Sequence, residues 1–213
     1  MEFLSEAIEG YSQAHTSPES PLLALLNRET HAKVLQPRML SGHVQGRLLS
    51  LFSSMMRPQR ILEIGTYTGY SALCLAEGLA EDRKLITIDV NEELEEFTRS
   101  FFDKSPYKDK IEYRIANAVE LIPTLPDTFD LVFIDADKLN YTLYYDLVID
   151  KVRSGGIIIA DNVLWSGKVV QTDKKIDKDT QNLLYFNQKV HNDPRVSNLL
   201  LPVRDGLMIA YKN

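Results

Sequence analysis

The chain has 213 residues, of which 44% are hydrophobic and 25% charged, and this composition is ordinary for a globular protein with a sizeable core. The formal net charge of −6 argues against a broad nucleic-acid-binding face, and the single cysteine, Cys74, excludes a disulfide framework and a cysteine-based zinc site. The first six residues lack the basic and apolar regions of a signal peptide, and no apolar run approaches the roughly 20 residues of a membrane span, so we expect a cytoplasmic protein.

The first 58 residues show a helical pattern, with turn signals at residues 17–21 and 36–37. In the last part of this region, apolar residues recur at the spacing of one helix face, and they are Val44, Leu48, Leu51, Phe52 and Met55. We expect residues 1–58 to form a helical extension that packs on a single domain spanning residues 1–213.

From Arg60 onward, short apolar runs alternate with longer amphipathic segments. The strand candidates are residues 61–64, 85–90, 111–115, 131–135 and 157–161. One of the helices between them starts at Asn91, and another carries Tyr141, Tyr144, Tyr145 and Val148 on one face. This alternation predicts an α/β fold with a Rossmann-like, doubly wound parallel sheet.

The end of the chain shows a different pattern. Two apolar runs, residues 196–203 and 207–211, are separated only by Arg204, Asp205 and Gly206. Asp-Gly between apolar runs is typical of a hairpin, so we expect the last two strands to be antiparallel. The sequence therefore predicts a mostly parallel sheet that ends in an antiparallel strand.

A glycine-containing loop at residues 62–71 follows the first strand and opens a helix, where backbone N–H groups and the helix dipole favour a negative group. Tyr67 occupies the place of the second glycine of the dinucleotide fingerprint, and the Gly-Lys-Ser/Thr ending of a P-loop is missing. The loop therefore suits an adenosine cofactor without phosphates, and a purely structural tight turn is the alternative.

Two later strands supply residues for the rest of such a cofactor. Asp89 ends the second strand, 24 residues after Gly65, where an acidic residue can accept hydrogen bonds from both ribose hydroxyls. Residues 116–118, at the end of the third strand, would border the adenine, because the small side chains of Ala116 and Ala118 leave room for the ring.

Oxygen-bearing side chains follow two further strands. Asp135 ends one apolar run, and Asp161 and Asn162 end the next. The carboxyl ends of parallel strands meet at one edge of a sheet, where two carboxylates and an amide would suit a hard divalent cation such as Mg²⁺. The alternative is that these residues only start turns or cap helices.

Taken together, these motifs resemble those of the cation-dependent O-methyltransferases, a family that includes catechol and caffeoyl-CoA O-methyltransferases and many small bacterial relatives. The matching segments are EIGTYTGYS at residues 63–71, FIDADK at 133–138, DNVLW at 161–165, and the LP and DGL of residues 201–207. The resemblance, which starts at about Met39, implies S-adenosylmethionine (SAM) as methyl donor, the seven-stranded sheet of class I SAM methyltransferases with its last strand reversed, and a homodimer.

The resemblance also implies roles for individual residues. SAM would be bound by Met39, Glu63, Gly65, Thr66, Ser71, Asp89, Ala118, Asp135 and Asp137. A divalent cation (Mg²⁺, or alternatively Mn²⁺ or Ca²⁺) would be bound by Asp135, Asp161 and Asn162, with Asp135 also counted as catalytic.

Lys138 matches the position of the general base. Three protein oxygens leave about three positions in an octahedral shell, enough for two adjacent substrate oxygens and one water. A nearby cation and partial burial would let Lys138 take the substrate proton, and the oxyanion would then attack the methyl group. A solvated surface lysine is the alternative.

We expect the substrate to be a small phenol with adjacent hydroxyls, either catechol-like or of the hydroxycinnamoyl type. Ser166 stands where plant caffeoyl-CoA enzymes have an asparagine, so the acceptor stays open. A hydroxylated wobble uridine of transfer RNA is the second hypothesis, and a SAM-binding protein without catalysis is the third. Residues 165–180 are the predicted substrate-facing loop, whose charge run could also be a solvated face; its lysines are Lys168, Lys174, Lys175 and Lys178.

Overall fold

A computed structural model describes residues 5–171 and 176–213, and within them the chain divides into two compact units, residues 5–117 and 118–213. Seven strands lie in this described part of the chain: β1 (Arg60–Ile64), β2 (Lys84–Asp89), β3 (Ile111–Ile115), β4 (Phe129–Ile134), β5 (Val152–Ala160), β6 (Val196–Leu201) and β7 (Leu207–Lys212). They form one sheet in the order β3-β2-β1-β4-β5-β7-β6.

The directions of the strands confirm the predicted fold class. β2 runs parallel to both β1 and β3, and β4 runs parallel to β5. β7 is antiparallel to both β5 and β6. The hairpin between β6 and β7 turns at Arg204 and Gly206, which have φ values of 49° and 88°, and it confirms the prediction from Asp-Gly.

The first unit begins with the expected helices. Its helices are α1 (Glu6–Ala14), α2 (Pro21–Lys33), α3 (His43–Met56), α4 (Tyr70–Ala76) and α5 (Glu95–Phe102). The start of α2 has a clear local cause, because the Ser20 hydroxyl accepts a hydrogen bond from the backbone N–H of Leu23 and Pro21 occupies the first turn.

The structure shows which face of α3 is buried. In the apolar stripe, Leu51 is 58% and Met55 72% exposed, while Val44, Leu48 and Phe52 are partly buried. The buried residues of this helix are instead Gln45, Gly46, Leu49, Ser50 and Ser53. Small side chains let α3 approach α4 closely, since the Ser53 hydroxyl donates to the Leu75 carbonyl at 2.6 Å. The periodicity predicts the helix but not which face is buried.

The second unit holds α6 (Ala118–Leu121), α7 (Tyr141–Ile149) and α8 (Lys178–Asn192). The apolar face predicted for α7 is buried, and the rings of Tyr141 and Tyr145 meet Phe186 of α8 edge-on, with centroids 5.4 and 6.2 Å apart. Every residue of β4 is buried, as expected for a strand covered on both faces.

β5 is longer than the apolar run predicts. It begins at Val152 rather than at residue 157, because Val152 pairs with Phe129 of β4 although polar and glycine residues follow it. Among the described residues, the structure shows no helix that is long and apolar enough to span a membrane.

Gly78 offers a test of the packing beside α3. A Cβ at Gly78 would lie 2.1 Å from the backbone carbonyl carbon of Ser53, so we expect Gly78→Ala to lower the free energy of unfolding. Overpacking of this kind costs about 1–3 kcal/mol or more. Urea unfolding measures the loss as a shift of the midpoint.

Gly10→Ala in α1 is the matched control, because nothing lies within 4 Å of its added Cβ. This variant should gain roughly 0.5–1 kcal/mol from helix propensity. Equal midpoints for the two variants would contradict the close approach of residue 78 to α3.

Candidate functional site

The glycine loop between β1 and α4 needs glycine at two positions. Gly65 and Gly69 have φ values of 101° and 86°, which favour glycine. A Cβ at Gly69 would also lie 2.6 Å from the ring of Phe102. Tyr67, between them, has a φ of 50° and donates its hydroxyl to the Gln36 carbonyl at 2.8 Å. The loop is therefore a sharply turned segment in which Tyr67 contacts the residues before Met39.

Asp89 lies at the end of β2, and two backbone donors hold its carboxylate. The N–H of Tyr67 donates to Oδ2 at 2.7 Å, and the N–H of Asn91 donates to Oδ1 at 2.9 Å. Each carboxylate oxygen can accept a second hydrogen bond, so the group is oriented and still able to bind two adjacent hydroxyls.

A buried chain of hydrogen bonds joins Glu63, Thr87 and Thr66. The Thr87 hydroxyl donates to Glu63 Oε2 at 2.5 Å, and the hydroxyls of Thr66 and Thr87 lie 2.5 Å apart. Because the single Thr87 proton goes to the carboxylate, Thr66 is the donor to Thr87. The three residues are at most 1% exposed. Sequence reasoning missed Thr87, whose one signal was a hydroxyl inside an apolar strand.

Of the other cofactor candidates, Met39 is 57% exposed at the end of a short 3₁₀ turn. Ser71 is buried in α4, and Ala118 is buried at the start of α6. Among the predicted SAM-binding residues, Glu63 and Thr66 are joined through Thr87. For Met39, Ser71 and Ala118, the structure gives the position and burial of each residue.

Asp135 and Asp161 follow the ends of two neighbouring strands. Ile134 of β4 lies opposite Ala160 of β5, and the Asp161 N–H donates to the Ile134 carbonyl at 2.9 Å. Asn162 follows with a φ of 58°, a conformation that asparagine tolerates better than most residues. Two carboxylates and an amide thus occupy the same sheet edge.

This donor set fits a hard divalent cation, because its ligating atoms would all be oxygens. Within residues 5–171 and 176–213, no three His, Cys, Asp or Glu side chains cluster in a way that could hold a metal ion. The predicted set holds only two side chains of these types, Asp135 and Asp161, and its third member is the amide of Asn162.

Lys138 is not a solvated lysine, since its side chain is only 8% exposed. Its Nζ lies 3.3 Å from Asp135 Oδ1 and 2.5 Å from the Tyr141 hydroxyl. It also lies 4.5 Å from the centre of the Tyr141 ring and 5.8 Å from that of Trp165. The chain therefore places an amine beside one of the predicted metal ligands.

Tyr141 belongs to this group, although the sequence pattern only predicts it as part of a helix core. Its hydroxyl donates to the Asp161 carbonyl at 2.9 Å. Burial, with smaller contributions from Asp135 and Asp161, raises the pKa of this hydroxyl well above its usual value. The hydroxyl is therefore neutral, and it can accept from Lys138 while it donates to the carbonyl.

Asp137 serves the turn that follows Lys138. Its carboxylate accepts hydrogen bonds from the backbone and side chain of Asn140 at 3.2 and 2.9 Å, and from the Tyr144 hydroxyl at 2.6 Å. Local donors thus surround this carboxylate, and its predicted contact with a cofactor stays a prediction.

The segment after Asn162 forms hydrogen bonds with residues that are distant in the sequence. The N–H of Leu164 donates to the Asp205 carbonyl at 2.9 Å, and the Asn187 amide donates to the Val163 carbonyl at 2.9 Å. Trp165 and Ser166 have φ values of 48° and 53°. The bend at these residues is therefore supported by neighbouring parts of the second unit.

Of the lysines in the predicted substrate-facing loop, Lys168 forms an ion pair with Asp177 at 2.8 Å and lowers the pKa of that carboxyl. Lys178 begins α8 and is exposed. Lys174 and Lys175 lie outside the described residues.

Comparison with known proteins gives consistent matches. Residues 13–213 match the family model described as O-methyltransferase. Caffeoyl-CoA O-methyltransferase 5 of Nicotiana tabacum is 33% identical over 194 residues, which cover 86% of this chain and 81% of the relative.

Two solved structures extend the match to the fold. The SAH-bound methyltransferase PaMTH1 of Podospora anserina has a TM-score of 0.90 and 27% identity, and the match covers 98% of this chain and 94% of that one. The O-methyltransferase of Bacillus cereus, in complex with SAH, has a TM-score of 0.88 and 29% identity, with 97% of both chains covered.

The role of Thr87 can be tested by Thr87→Val. This change keeps the approximate shape and removes the hydroxyl between Thr66 and Glu63, so we expect it to destabilise the protein by about 1–3 kcal/mol. Urea unfolding is again the measurement.

Thr142→Val is the matched control. The Thr142 hydroxyl is buried and has no hydrogen-bond partner within the described part of the chain. Its removal should leave the stability unchanged or raise it. Equal losses for the two variants would show that the hydrogen bonds of Thr87 contribute nothing.

Proposed function

Because the chain belongs to the O-methyltransferase family and is a SAM-dependent O-methyltransferase, we propose that it methylates a hydroxyl of a small catechol-like or hydroxycinnamoyl-type substrate with the help of a divalent cation. The observation that carries this proposal is the placement of Asp135, Asp161 and Asn162 directly after the ends of β4 and β5, with the Lys138 amine 3.3 Å from Asp135 Oδ1. The caffeoyl group named for the tobacco relative carries two adjacent hydroxyls, which is the substrate feature that such a site would bind.

The cation would be held by Asp135, Asp161 and Asn162. When bound, Mg²⁺, Mn²⁺ or Ca²⁺ would act as a Lewis acid and would orient two adjacent oxygens of the substrate. The register of β4 and β5 places the backbone of the two aspartates directly after adjacent strand ends. A scaffold that positions the backbone of its ligating residues lowers the cost of assembling a site.

Lys138 would take the proton of the reacting hydroxyl at its Nζ. Its burial and the flanking rings of Tyr141 and Trp165 limit the access of water to this atom. SAM, when bound, would supply the methyl group: the new O–C bond would form as the sulfonium C–S bond breaks, with S-adenosylhomocysteine as the leaving group. Much of the rate enhancement would come from holding the reacting groups in the right geometry.

We further propose that SAM is bound by the residues assigned to it from the sequence. Asp89 would accept hydrogen bonds from the ribose hydroxyls, which is supported by the two backbone donors that orient its carboxylate. The methionine part would contact Glu63, Gly65, Thr66 and Ser71, and the remaining contacts would come from Met39, Ala118, Asp135 and Asp137.

The metal-assisted mechanism predicts that EDTA and Asp161→Ala each abolish methyl transfer. We expect kcat/KM to fall at least about 100-fold, because removal of one oxygen ligand weakens the cation site that holds the substrate. The assay uses labelled SAM, with catechol and caffeoyl-CoA as acceptors and with Mg²⁺ or EDTA.

Asp146→Ala is the control, because this acidic residue lies in an exposed ion pair with Lys189. Turnover that survives both EDTA and Asp161→Ala would contradict the role of the metal. Transfer to hydroxyuridine-containing transfer RNA but to neither phenol would replace the proposed acceptor.

The quaternary structure is a second part of the proposal, and we propose a homodimer that buries the apolar stripe of α3. This stripe holds two strongly exposed large hydrophobic side chains, Leu51 and Met55, beside three less exposed ones. A row of apolar side chains on one helix face is the kind of surface that a second copy can cover.

We expect Leu51→Glu to convert the dimer to a monomer, because the change places a charge in the apolar contact. Static light scattering gives the mass of each variant. Leu199→Glu on β6 is the control, since Leu199 is 57% exposed and Leu51 58%. A monomeric unmodified protein would rule out the dimer.

A further inference from the structure

We propose that Tyr141 is a positioning residue that holds the amine of Lys138 at the ends of β4 and β5. The inference rests on the proposed role of Lys138 as the base. It adds a residue that acts on the base and not on the substrate, the cation or SAM.

One hydroxyl joins three groups. The Tyr141 oxygen lies 2.5 Å from Lys138 Nζ, 2.9 Å from the Asp161 carbonyl oxygen and 3.4 Å from the Ile134 carbonyl oxygen. These carbonyls lie where β4 ends and immediately after β5, and Asp135 directly follows Ile134. The position of the amine is thereby tied to the backbone that carries the two predicted metal-binding aspartates.

The chemistry of the three groups makes a hydroxyl necessary. The Lys138 amine can donate an N–H to the Tyr141 oxygen both before and after it takes a proton, and a backbone carbonyl only accepts hydrogen bonds. A side chain between the two must accept on one side and donate on the other, which a phenol does and a phenyl ring does not. Tyr141 is fully buried. If its hydroxyl is lost, a water molecule can replace it only where the packing leaves enough room for one.

Without this contact, the polar partner that remains for the amine within residues 5–171 and 176–213 is Asp135 Oδ1, at 3.3 Å. The lysine side chain is a flexible four-carbon stem, so it would shift toward that carboxylate. The amine would then leave the position from which it can reach a substrate hydroxyl. The expected consequence is a lower kcat with little change in the binding of SAM.

The two neighbouring tyrosines have other partners. The Tyr144 hydroxyl donates to Asp137, and the Tyr145 hydroxyl donates to Asp193 Oδ2 at 3.0 Å. The whole residue Tyr145 is as little exposed as Tyr141, while its hydroxyl makes a partly buried contact with Asp193. Tyr145→Phe therefore removes a tyrosine hydroxyl from the same helix without touching Lys138, and it is the control.

The experiment measures kcat, the KM for SAM and the melting temperature of Tyr141→Phe, with catechol as acceptor. We expect kcat to fall about 10- to 100-fold, as for the loss of a hydrogen bond to a charged group. The KM for SAM should stay within about threefold, and Tyr145→Phe should keep the kcat of the unmodified enzyme. An unchanged kcat in Tyr141→Phe, or an equal loss in Tyr145→Phe, would overturn the proposal.

A double-mutant cycle with Lys138→Met separates positioning from general packing. If Tyr141 acts through Lys138, Tyr141→Phe should lower kcat no further than about twofold once Lys138 is Met. Independent losses that multiply would overturn the proposal. If Lys138→Met lowers kcat and Tyr141→Phe does not, only the inference on Tyr141 fails; if Lys138→Met keeps full activity, the proposed base fails.

A second substitution covers the case in which Tyr141→Phe does not fold. 4-Aminophenylalanine at position 141 keeps the ring and a para group that both donates and accepts. We expect this variant to keep kcat within about threefold of the unmodified enzyme, because both hydrogen bonds can form. A folded 4-aminophenylalanine variant with kcat lowered tenfold or more would overturn the proposal.

Discussion

At the ends of β4 and β5, Ile134 lies opposite Ala160, and the Asp161 N–H closes the next hydrogen bond to Ile134. The candidate site depends on this register, because it decides which side chains leave the sheet next to each other. A slip of one residue would send the side chains of one strand to the opposite face. The complete burial of β4 makes such a slip costly, so core packing holds the polar residues in place.

In each unit, one buried hydroxyl joins a charged side chain to a second polar group. Thr87 joins Thr66 to Glu63 in residues 5–117, and Tyr141 joins Lys138 to a backbone carbonyl in residues 118–213. A hydroxyl suits this position because it accepts from one neighbour and donates to the other. Burial of a carboxylate or an amine is costly unless such partners are present. The two hydroxyls therefore allow charged groups to lie inside the protein.

In helix α3, close packing buries small and polar side chains and leaves two large apolar side chains, Leu51 and Met55, exposed. Its approach to α4 requires small side chains, and a Cβ at Gly46 would already lie 2.6 Å from the Tyr70 ring. Arg47 and Ser50 then pair with Glu77 beside this contact. Leu51 and Met55 are left exposed on α3, where they form part of the surface proposed for the homodimer.

Local periodicity and turn chemistry are enough to predict that seven strands exist, that β7 is reversed, and that Asp135, Asp161 and Asn162 follow strand ends. The packing of the elements sets the start of β5 at Val152, the buried face of α3, the enclosure of Lys138, and the roles of Thr87 and Tyr141 beside charged groups. Hydrophobic spacing identifies a helix or a strand, whereas the burial and partners of a hydroxyl or an amine depend on which elements pack around it.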